Sequence, residues 1–472
     1  MAKVALLCAD YPEIIFAEGV EKRYFALHNE IRLQKNFNFF TDQDLHEFTN
    51  INFQHRGLLA IAELLLDKGH KVDYYPNNLD FKRVEDYDIV GISSYTQNIE
   101  NARRLSLLIK HARPQTLTVL GGAHANGIGA DDLKKELSFF DYVVKGHGGN
   151  ALLSIINKRE GHAIQFEQNQ NIYSQDNIPS VTPLSNIETC PSYLYHSYNL
   201  LNQRLPSARI FFTEGCVHQC AFCANHRQRT ISYDFDMVKR EIELLIYNFG
   251  TKYIYIGDEN FYLGSSKSDQ IINLMEKYSS TCKWGFQTRI GIPSQQAFGR
   301  LNPDSCVEID LGIETATEKT RNLISKNYGT FDTVYKTIDA YLKMNFNLLG
   351  YFIVGLPGET RATIEDNFKI MSDLIMKGVM IEPGIFVPYP GTPIFENAKE
   401  YGILIDKTSW SRFSSERIPS YKYENGLAAE EIRYLYDCGL ETYLIPAYME
   451  KYNSILENLP KQQSNSLGTQ II

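Results

Sequence analysis

The chain has 472 residues, a formal net charge of −9, 43% hydrophobic residues and 22% charged residues. At roughly 150 residues per domain this length predicts two to four domains, and the ordinary composition excludes a disulfide-stapled miniprotein and wholesale disorder. The acidic balance argues against nucleic acid as a partner, and no apolar run reaches the roughly 20 residues of a membrane span.

Strand and helix patterns alternate over residues 1–160. The apolar run 4–8 predicts a strand, and the spacing of apolar residues over 58–66 predicts a helix that Gly69 ends. The same reasoning predicts strands at 71–75, 87–93, 116–120 and 141–144, with helices at 98–111 and 131–137. This alternation indicates a doubly wound, Rossmann-like parallel sheet in an α/β protein.

Small and polar residues follow several of these strands. In a doubly wound sheet, ligands bind beyond the carboxyl ends of the strands, so these residues are candidates for a pocket. They are Cys8, Ser93, Ser94, Gly121, Gly122, His124 and Gly146–Gly149.

Two segments depart from the alternating pattern. The stretch between Cys8 and Gly57 is a long insertion rich in aromatic residues, which is either an extra packed helix or a segment with a functional contact. Residues 161–206 are polar and contain several prolines, which indicates a linker between domains.

Alternation resumes over residues 207–407. Strands are predicted at 209–213, 252–257, 283–288, 307–312, 348–355 and 381–387, and a helix with one apolar face at 363–376. Six strand–helix units predict a partial (β/α)6 barrel with its active site at the carboxyl ends of the strands. Residues 408–472 are predicted to form a helical extension whose last residues fray.

Three of the eight cysteines, Cys216, Cys220 and Cys223, follow the first barrel strand with the spacing C-x3-C-x2-C. Three thiolates on one loop suit an iron–sulfur cluster or zinc, and His226 would complete a Cys3His zinc site. The other five are scattered, which favours a reducing compartment over a disulfide framework. Together with the absence of a secretion signal at the amino terminus, this predicts a cytoplasmic protein.

The cysteine loop resembles the signature of the radical SAM superfamily, in which an aromatic residue, here Phe222, precedes the last cysteine. Five later segments resemble the family's subsequent strands in the same order. They are IYIGDENF (254–261), WGFQTRI (284–290), DLGIET (310–315), YFIVGLPGET (351–360) and PYPGTPIF (388–395).

This resemblance implies that the three cysteines hold a [4Fe-4S] cluster whose open iron binds S-adenosylmethionine (SAM). One electron would then cleave SAM and release a 5′-deoxyadenosyl radical, which the barrel shields from water.

The same resemblance implies SAM contacts along the barrel. Asp258 and Glu259 stand near the position of the SAM amino group, although the family's usual Gly-Gly-Glu is missing. Arg289 would bind the carboxylate or form a strand-end salt bridge, and Glu314 would bind the ribose or form an ion pair. Gly355 to Gly358, including Pro357, would approach the adenine or form a structural turn, and Thr360 is a predicted helix N-cap.

The N-terminal region resembles the cobalamin-binding domain that precedes the barrel in the B12-dependent branch of this superfamily. The matching segments are LLLDKGHKV (64–72), DIVGISSYT (88–96), TVLGGAHAN (118–126) and DYVVKGHGG (141–149). Ser93, Ser94, Gly121, Gly122, His124 and Gly146 are therefore the expected cobalamin contacts. A domain that keeps the sheet but no longer binds cobalamin is the alternative.

Two features depart from the B12-binding pattern. The nearest match to Asp-x-His-x-x-Gly begins at Asp44 and lacks the glycine, so that motif supplies no cobalt-ligating histidine. The segment Gly146-His147-Gly148-Gly149 also lacks the usual acidic residues, and His147 and His124 are more typical of hydrogen-bonding than of metal-ligating residues.

The resemblance implies a cobalamin-dependent radical SAM enzyme that methylates an unactivated carbon of a small-molecule or peptide substrate, with flavodoxin or ferredoxin as electron donor. A radical cyclase or rearrangement enzyme that transfers no methyl group is the main alternative. A methylthiotransferase acting on tRNA is disfavoured, because the N-terminal domain offers only Cys8 for a second cluster. A zinc-stapled, corrin-binding sensor is the non-enzymatic alternative.

Overall fold

The computed structural model describes residues 1–9, 19–41, 43–44, 55–75, 86–161, 171–175, 194–225, 230–261, 263–291, 298–415 and 417–457. His226, the fourth ligand of the zinc alternative, lies outside these ranges, as do the segments that flank Pro183 and the last 15 residues.

The N-terminal domain is a parallel sheet with helices on its faces. Among the described residues the strand order is β2-β1-β3-β4-β5-β6, with only β6 antiparallel to its neighbour. The strands are β1 (Lys3–Cys8), β2 (Lys71–Tyr75), β3 (Ile89–Ser93), β4 (Leu117–Gly121), β5 (Tyr142–Val144) and β6 (Ile172–Tyr173). The helices are α1 (Val20–Asn36), α2 (Arg56–Asp67), α3 (Ile99–Ala112), α4 (Ala123–Gly127), α5 (Ala130–Glu136) and α6 (Gly148–Arg159).

The predicted Rossmann-like sheet is confirmed, with strand ends within about two residues of the predictions. The central strand β1 is buried along nearly its whole length because both of its faces are covered by helices. The predicted linker is only partly a connection, since it contributes β6 to the edge of the sheet.

The second domain is an open, six-stranded parallel sheet curved into a partial barrel. Its described strands follow chain order across the sheet, and each has a helix or loop on its outer side. They are β7 (Ser207–Ile210), β10 (Tyr253–Ile256), β11 (Lys283–Arg289), β12 (Cys306–Glu314), β13 (Leu348–Val354) and β14 (Met380–Ile385), and a small ribbon pairs β8 (Thr213–Glu214) with β9 (Ile231–Ser232). The helices are α7 (Phe235–Phe249), α8 (Ser266–Lys277), α9 (Glu318–Leu323), α10 (Asp332–Leu342) and α11 (Arg361–Lys377).

The helix α11 illustrates why these segments fold outside the barrel. Thr360 accepts a hydrogen bond from the Thr363 backbone N–H and caps the helix, as the sequence predicts. The apolar stripe that includes Phe368 and Met371 is buried, with Phe368 packed against Tyr436 of the C-terminal extension, and Gly378 ends the helix in the left-handed conformation.

The C-terminal extension packs against α11 and the amino-terminal ends of the barrel strands. After β14 the chain forms α12 (Pro393–Glu396) and β15 (Ile403–Ile405), and the extension itself contains β16 (Tyr421–Tyr423), α13 (Ala429–Gly439), a π-helical turn (Leu440–Leu444), α14 (Ile445–Lys451) and α15 (Asn453–Glu457). The Tyr436 hydroxyl donates to the Pro383 carbonyl at 3.0 Å, and the Tyr448 hydroxyl accepts from the Ile381 N–H at 2.6 Å. Although β16 contacts Gly355 at the carboxyl end of β13, α13 and α14 cover the end of the barrel opposite the cysteine loop.

The helix α1, from the long insertion, closes the same end of the barrel. Arg32 and Asn36 bind Glu308 at the start of β12, and Tyr24 donates to the Ile381 carbonyl. The described part of the insertion thus contains the extra packed helix that the sequence allowed, and this helix contacts the second domain.

Candidate functional site

The three cysteines of the C-x3-C-x2-C motif lie on one loop beyond β7. Cys220 is buried and Cys216 and Cys223 are half-buried, and none of the seven described cysteines forms a disulfide. Burial, together with the nearby Cys220 and Cys216, raises the pKa of the Cys223 thiol to about 11. Three thiols on one loop suit a metal cluster, whose positive charge stabilises the thiolate form that ligates it.

Arg289 at the end of β11 lies beside this loop. Its guanidinium Nη1 donates to the Cys220 Sγ at 3.3 Å, and its backbone N–H is held by the Asn260 side chain. The structure therefore brings the guanidinium of Arg289 and the cysteine loop together, although β10 lies between β7 and β11 in the sheet.

Glu314, at the end of β12, is held in an unusual backbone conformation. Its φ of 68° lies in the left-handed region, and the pairing of β12 with β13 shifts register between Gly312 and Glu314. The Lys326 ammonium binds Glu314 Oε1 at 2.8 Å, and both side chains are nearly buried. Glu314 thus forms an ion pair, as one of the two alternatives from the sequence allowed. The sequence pattern did not identify Lys326 as its partner.

The adjacent carboxyl groups of Asp258 and Glu259 have different environments. Asp258 accepts hydrogen bonds from the Phe212 N–H at 2.8 Å and the Thr213 hydroxyl at 2.5 Å. Glu259 accepts one bond from Asn225, while its buried Oε2 has no hydrogen-bond partner among the described residues. Burial, followed by the charges of Glu214 and Asp258, raises the pKa of Glu259. The free oxygen next to the cysteine loop fits an incoming ammonium group.

The turn after β13 is held from behind by the C-terminal extension. Gly355 has a φ of 83°, and a Cβ there would collide with the Tyr421 hydroxyl and the Ile432 side chain. Buried Glu359 accepts hydrogen bonds from the backbone N–H groups of Gly355 and Leu356. These contacts support the alternative in which Gly355 to Gly358 form a structural turn. Pro357 lies in the middle of this turn.

A cavity of about 1290 Å³ separates the N-terminal sheet from the barrel. Its N-terminal wall comes from strand ends and helix starts, and its barrel wall comes from inward-facing side chains. The lining includes Ser93, Tyr95, Gly121, Gly122, Asn126, Gly146 and His147 on one side, and Arg209, Phe211, Ala224, Tyr255, Gln287, Asp310, Tyr351 and Tyr389 on the other. Because Ala224 directly follows Cys223, the cysteine loop adjoins this cavity.

The two glycines after β4 serve different purposes. Gly122 has a φ of 92°, and a Cβ there would collide with Ser93 and the backbone of Ser94. At Gly121 an added Cβ would meet no atom within 4 Å, so its missing side chain leaves open space along the cavity wall. An open, glycine-lined wall fits a flat, bulky group such as a corrin.

Not all of the cobalamin contacts predicted from the sequence are among the residues that line this cavity. Ser94 is buried and donates to the Tyr95 carbonyl and Asn98. His124 is fully buried, with its Nε2 3.6 Å from Glu136 and its ring edge-on to Trp410. Neither side chain lines the cavity: Ser94 is bonded to Asn98, and α4 places His124 against Glu136 and Trp410.

His147 does line the cavity. Its Nε2 lies 3.7 Å from Glu214 Oε2, so it connects the N-terminal domain to the ribbon beside the cysteine loop. The sequence also missed Arg209, which projects from β7 into the cavity over the rings of Phe211 and Tyr255. Its position on the edge strand could be recognised only once the strand order was known.

Comparison with known proteins adds two domain matches in the order that the sequence predicts. Residues 52–156 match the model of the B12 binding domain, and residues 210–371 match the model of the radical SAM superfamily. The chain belongs to the radical SAM superfamily. It is a member of the branch with an N-terminal B12-binding domain. The match to the radical SAM family argues against the zinc-stapled, corrin-binding sensor. The protein is a radical SAM enzyme.

Two curated relatives and one solved structure are similar over most of this chain. An uncharacterized methyltransferase of Pyrococcus horikoshii, PH0819, is 24% identical over 78% of this chain and 81% of its own length. The anaerobic magnesium-protoporphyrin IX monomethyl ester cyclase of Rubrivivax gelatinosus is 23% identical over 66% of this chain and 58% of its own length. The cobalamin-dependent SAM radical enzyme OxsB, solved with aqua-cobalamin and SAM, has a TM-score of 0.67, 12% identity, and coverage of 99% of this chain and 70% of its own.

Membership of this family implies three cofactors. A [4Fe-4S] cluster, SAM and cobalamin are the cofactors of this branch of the superfamily. No helix in the described part of the chain is long and apolar enough to cross a lipid bilayer.

Proposed function

We propose that this radical SAM enzyme transfers a methyl group from SAM, through cobalamin, to an unactivated carbon of a small-molecule or peptide substrate. The observation that carries the proposal is the cavity of about 1290 Å³, which the cysteine loop adjoins and which the glycine-lined wall of the B12-binding domain faces. When bound, the cluster supplies an electron for SAM cleavage and cobalamin carries the methyl group.

In this proposal Cys216, Cys220 and Cys223 ligate the cluster and leave one iron for SAM. The buried Glu259 Oε2 accepts the SAM ammonium group, because it is a carboxylate oxygen that has no hydrogen-bond partner among the described residues. Arg289 holds the SAM carboxylate, and its contact with Cys220 fixes it beside the cluster.

The remaining SAM residues act around the nucleoside. Glu314 accepts hydrogen bonds from the ribose hydroxyls through Oε2, while Lys326 fixes Oε1. Gly355 and Pro357 form the backbone edge that approaches the adenine. Asp258 is better suited to positioning the loop than to binding SAM, since both of its oxygens accept bonds from the residues that lead into the loop.

Cobalamin is assigned to the opposite wall of the cavity. Gly121, Gly122, Ser93 and Gly146 form a surface close to backbone, against which the corrin and its nucleotide tail would lie. Arg209 offers a guanidinium for the phosphate of the tail. We assign neither Ser94 nor His124 to cobalamin, because both have partners inside the N-terminal domain.

An external protein such as flavodoxin or ferredoxin is proposed to deliver the electron, since the described chain adds no further cysteine cluster. The free thiols suit the reducing environment of the cytoplasm.

The test is anaerobic reconstitution with iron, sulfide and hydroxocobalamin, followed by a reductant-dependent assay with CD3-labelled SAM. We expect about four irons per chain, formation of 5′-deoxyadenosine, S-adenosylhomocysteine, and a CD3 group on extracted cobalamin. Cys220→Ala should abolish 5′-deoxyadenosine, whereas Cys438→Ala, a cysteine of the extension, should leave it unchanged.

The outcome separates the two reaction classes. Formation of 5′-deoxyadenosine without S-adenosylhomocysteine or transfer of the CD3 group would contradict methyl transfer. It would favour a cyclase or rearrangement enzyme, the class to which the Rubrivivax gelatinosus relative belongs.

A further inference from the structure

The barrel interior contains a buried carboxyl group that the proposed cofactor sites do not use. Asp310 lies in the middle of β12, and its side chain is part of the cavity lining although the residue is only 1% exposed. Alternate residues of a strand share a face, so Asp310 lies on the same face of β12 as Gly312, where an added Cβ would meet the Glu314 carboxylate.

The two oxygens of Asp310 are not equally satisfied. Oδ2 accepts hydrogen bonds from the Tyr255 hydroxyl at 2.8 Å and the Tyr351 hydroxyl at 3.0 Å. Oδ1 is buried and has no hydrogen-bond partner among the described residues. The Tyr253 hydroxyl is also buried and has no hydrogen-bond partner among these residues. Two polar atoms without partners beside one cavity are unusual in a folded protein, and a bound group would satisfy them.

The charge around Asp310 is also unbalanced. The neighbouring carboxylate Glu308 is neutralised by Arg32 through two contacts of 2.8 and 2.5 Å. Asp310 has no ion-pair partner in the described part of the chain, and burial followed by the charge of Glu308 raises its pKa to about 8. Two further groups bear on this region: the Arg209 guanidinium lies over the Tyr255 ring, and the half-buried Glu382 on β14 lies near Arg32.

We propose that Asp310, with Tyr253, Tyr255 and Tyr351, forms a subsite that binds a protonated amine of the substrate. An ammonium group supplies N–H donors for Asp310 Oδ1 and the Tyr253 oxygen, and its charge balances the carboxylate. A neutral hydroxyl would satisfy the hydrogen bond but would not favour the ionised form of Asp310. This inference rests on the proposed function and narrows its substrate class to amine-bearing compounds.

The space for this subsite is built into the adjacent strand. A Cβ at Gly285 would collide with the Tyr253 hydroxyl and with the Glu308 carbonyl, so this glycine allows the tyrosine to reach the barrel interior. An amine bound at this depth would direct the rest of the substrate toward the cysteine loop at the open end of the barrel.

The experiment uses the reconstituted holoenzyme and three probes of one shape: benzylammonium, benzyl alcohol and benzoate. Binding is measured by calorimetry at neutral pH in two buffers of different ionisation enthalpy. We expect benzylammonium to bind about tenfold more tightly than benzyl alcohol and to release a fraction of a proton, because a bound cation favours the ionised form of Asp310. Benzoate should bind more weakly than both.

Asp310→Asn should remove both the preference for benzylammonium and the proton release, while Glu382→Gln, which changes a half-buried carboxyl on another strand, should keep both. Tyr351→Phe provides a second test if Asp310→Asn does not fold. It removes one donor to Oδ2 and should weaken benzylammonium binding several-fold.

Equal affinity for benzylammonium and benzyl alcohol in the wild type would overturn the inference. Loss of cobalamin from Asp310→Asn with unchanged amine binding would also overturn it, since the carboxyl group would then serve a corrin amide. The products 5′-deoxyadenosine and S-adenosylhomocysteine are measured in the same preparation. Their formation without an ammonium preference refutes only the amine subsite, and their absence refutes only the proposed function.

Discussion

Asp258 and Glu259 are consecutive residues with different expected roles. Asp258 uses both oxygens to hold the backbone that leads into the cysteine loop, and Glu259 keeps a buried oxygen that has no partner among the described residues. The difference follows from the strand end, where successive side chains point in opposite directions. A sequence motif identifies the pair but cannot say which carboxyl group faces the loop.

We expect Glu259→Gln to weaken SAM binding by about tenfold to a hundredfold with the cluster retained, because a charge-assisted hydrogen bond is worth about 1.5–3 kcal/mol. Asp258→Asn should instead lower the iron content of the reconstituted protein, since it loosens the loop. Equilibrium dialysis of SAM and iron analysis on the two variants distinguish these roles. Equal effects of both substitutions on SAM affinity would contradict the assignment.

The histidines show a limit of sequence reasoning at this scale. His124 follows Gly121-Gly122, the position of a pocket residue in a doubly wound sheet, yet α4 places it against Glu136 and Trp410. Trp410 belongs to the C-terminal extension and is far away in the chain. No local pattern predicts such a contact, whereas the turn glycine Gly122 could be predicted because its conformation is a local property.

The turn between β13 and α11 is an element whose geometry depends on one buried carboxyl group. Glu359 accepts bonds from the Gly355 and Leu356 N–H groups through Oε2, and its Oε1 accepts from Thr315 and Asn367. Burial raises the pKa of Glu359 to about 7 despite these bonds. The folded chain therefore holds a proton here that the unfolded chain releases at lower pH.

The sign of the pH effect follows from this difference. Between the ordinary glutamate pKa and about 7 the folded state binds more protons, so the free energy of unfolding should fall as pH rises through this window and then level off. The contribution is about 3 kcal/mol or less. Urea unfolding of Glu359→Gln should lack this component, because the amide keeps the acceptor oxygen without titrating. A pH profile identical to that of the wild type would contradict the assignment.

The helix α1 depends on a buried ion pair with β12. Glu308 is fully buried, and Arg32 lowers its pKa against the effect of burial. We expect Arg32→Ala to reduce the free energy of unfolding by about 3 kcal/mol, because it leaves a buried carboxylate without its cation. Urea unfolding measures the loss, which should shrink at acidic pH where Glu308 becomes protonated. Lys22→Ala, an exposed change on the same helix, should have little effect, and an equal loss in both variants would count against the ion pair.

The elements themselves were largely predictable and their partners were not. Strand β2 was predicted to the residue, and the six barrel strands to within about three residues, because alternation and turn residues are local signals. The role of α1 was not predictable, since Arg32 and Glu308 are 276 residues apart in the chain. The ribbon of β8 and β9 was missed because each of its strands has only two residues.

At the scale of the whole molecule, the two domains are fixed to one another. The Arg56 guanidinium, at the start of α2, binds the fully buried Glu241 of α7, and Tyr198 donates to the same carboxylate. On the other side, Gly127 and Gly391 approach so closely that neither tolerates a Cβ. The buried core is continuous from the first sheet to the barrel. This attachment keeps the glycine-lined wall opposite the barrel interior and defines the cavity between them.

The central claim is that one chain holds the cluster and cobalamin at the same cavity. Its most direct test is the iron and cobalt content of the anaerobically reconstituted wild type and of Gly121→Leu, with Gly129→Leu as the control. Gly121 faces open space in the cavity and Gly129 faces open space elsewhere, so both leucines fit and only one fills the cavity. We predict about four irons and one cobalt in the wild type and the control, and four irons without cobalt in Gly121→Leu. A wild type without cobalt, or a Gly121→Leu variant that retains it, would contradict the account.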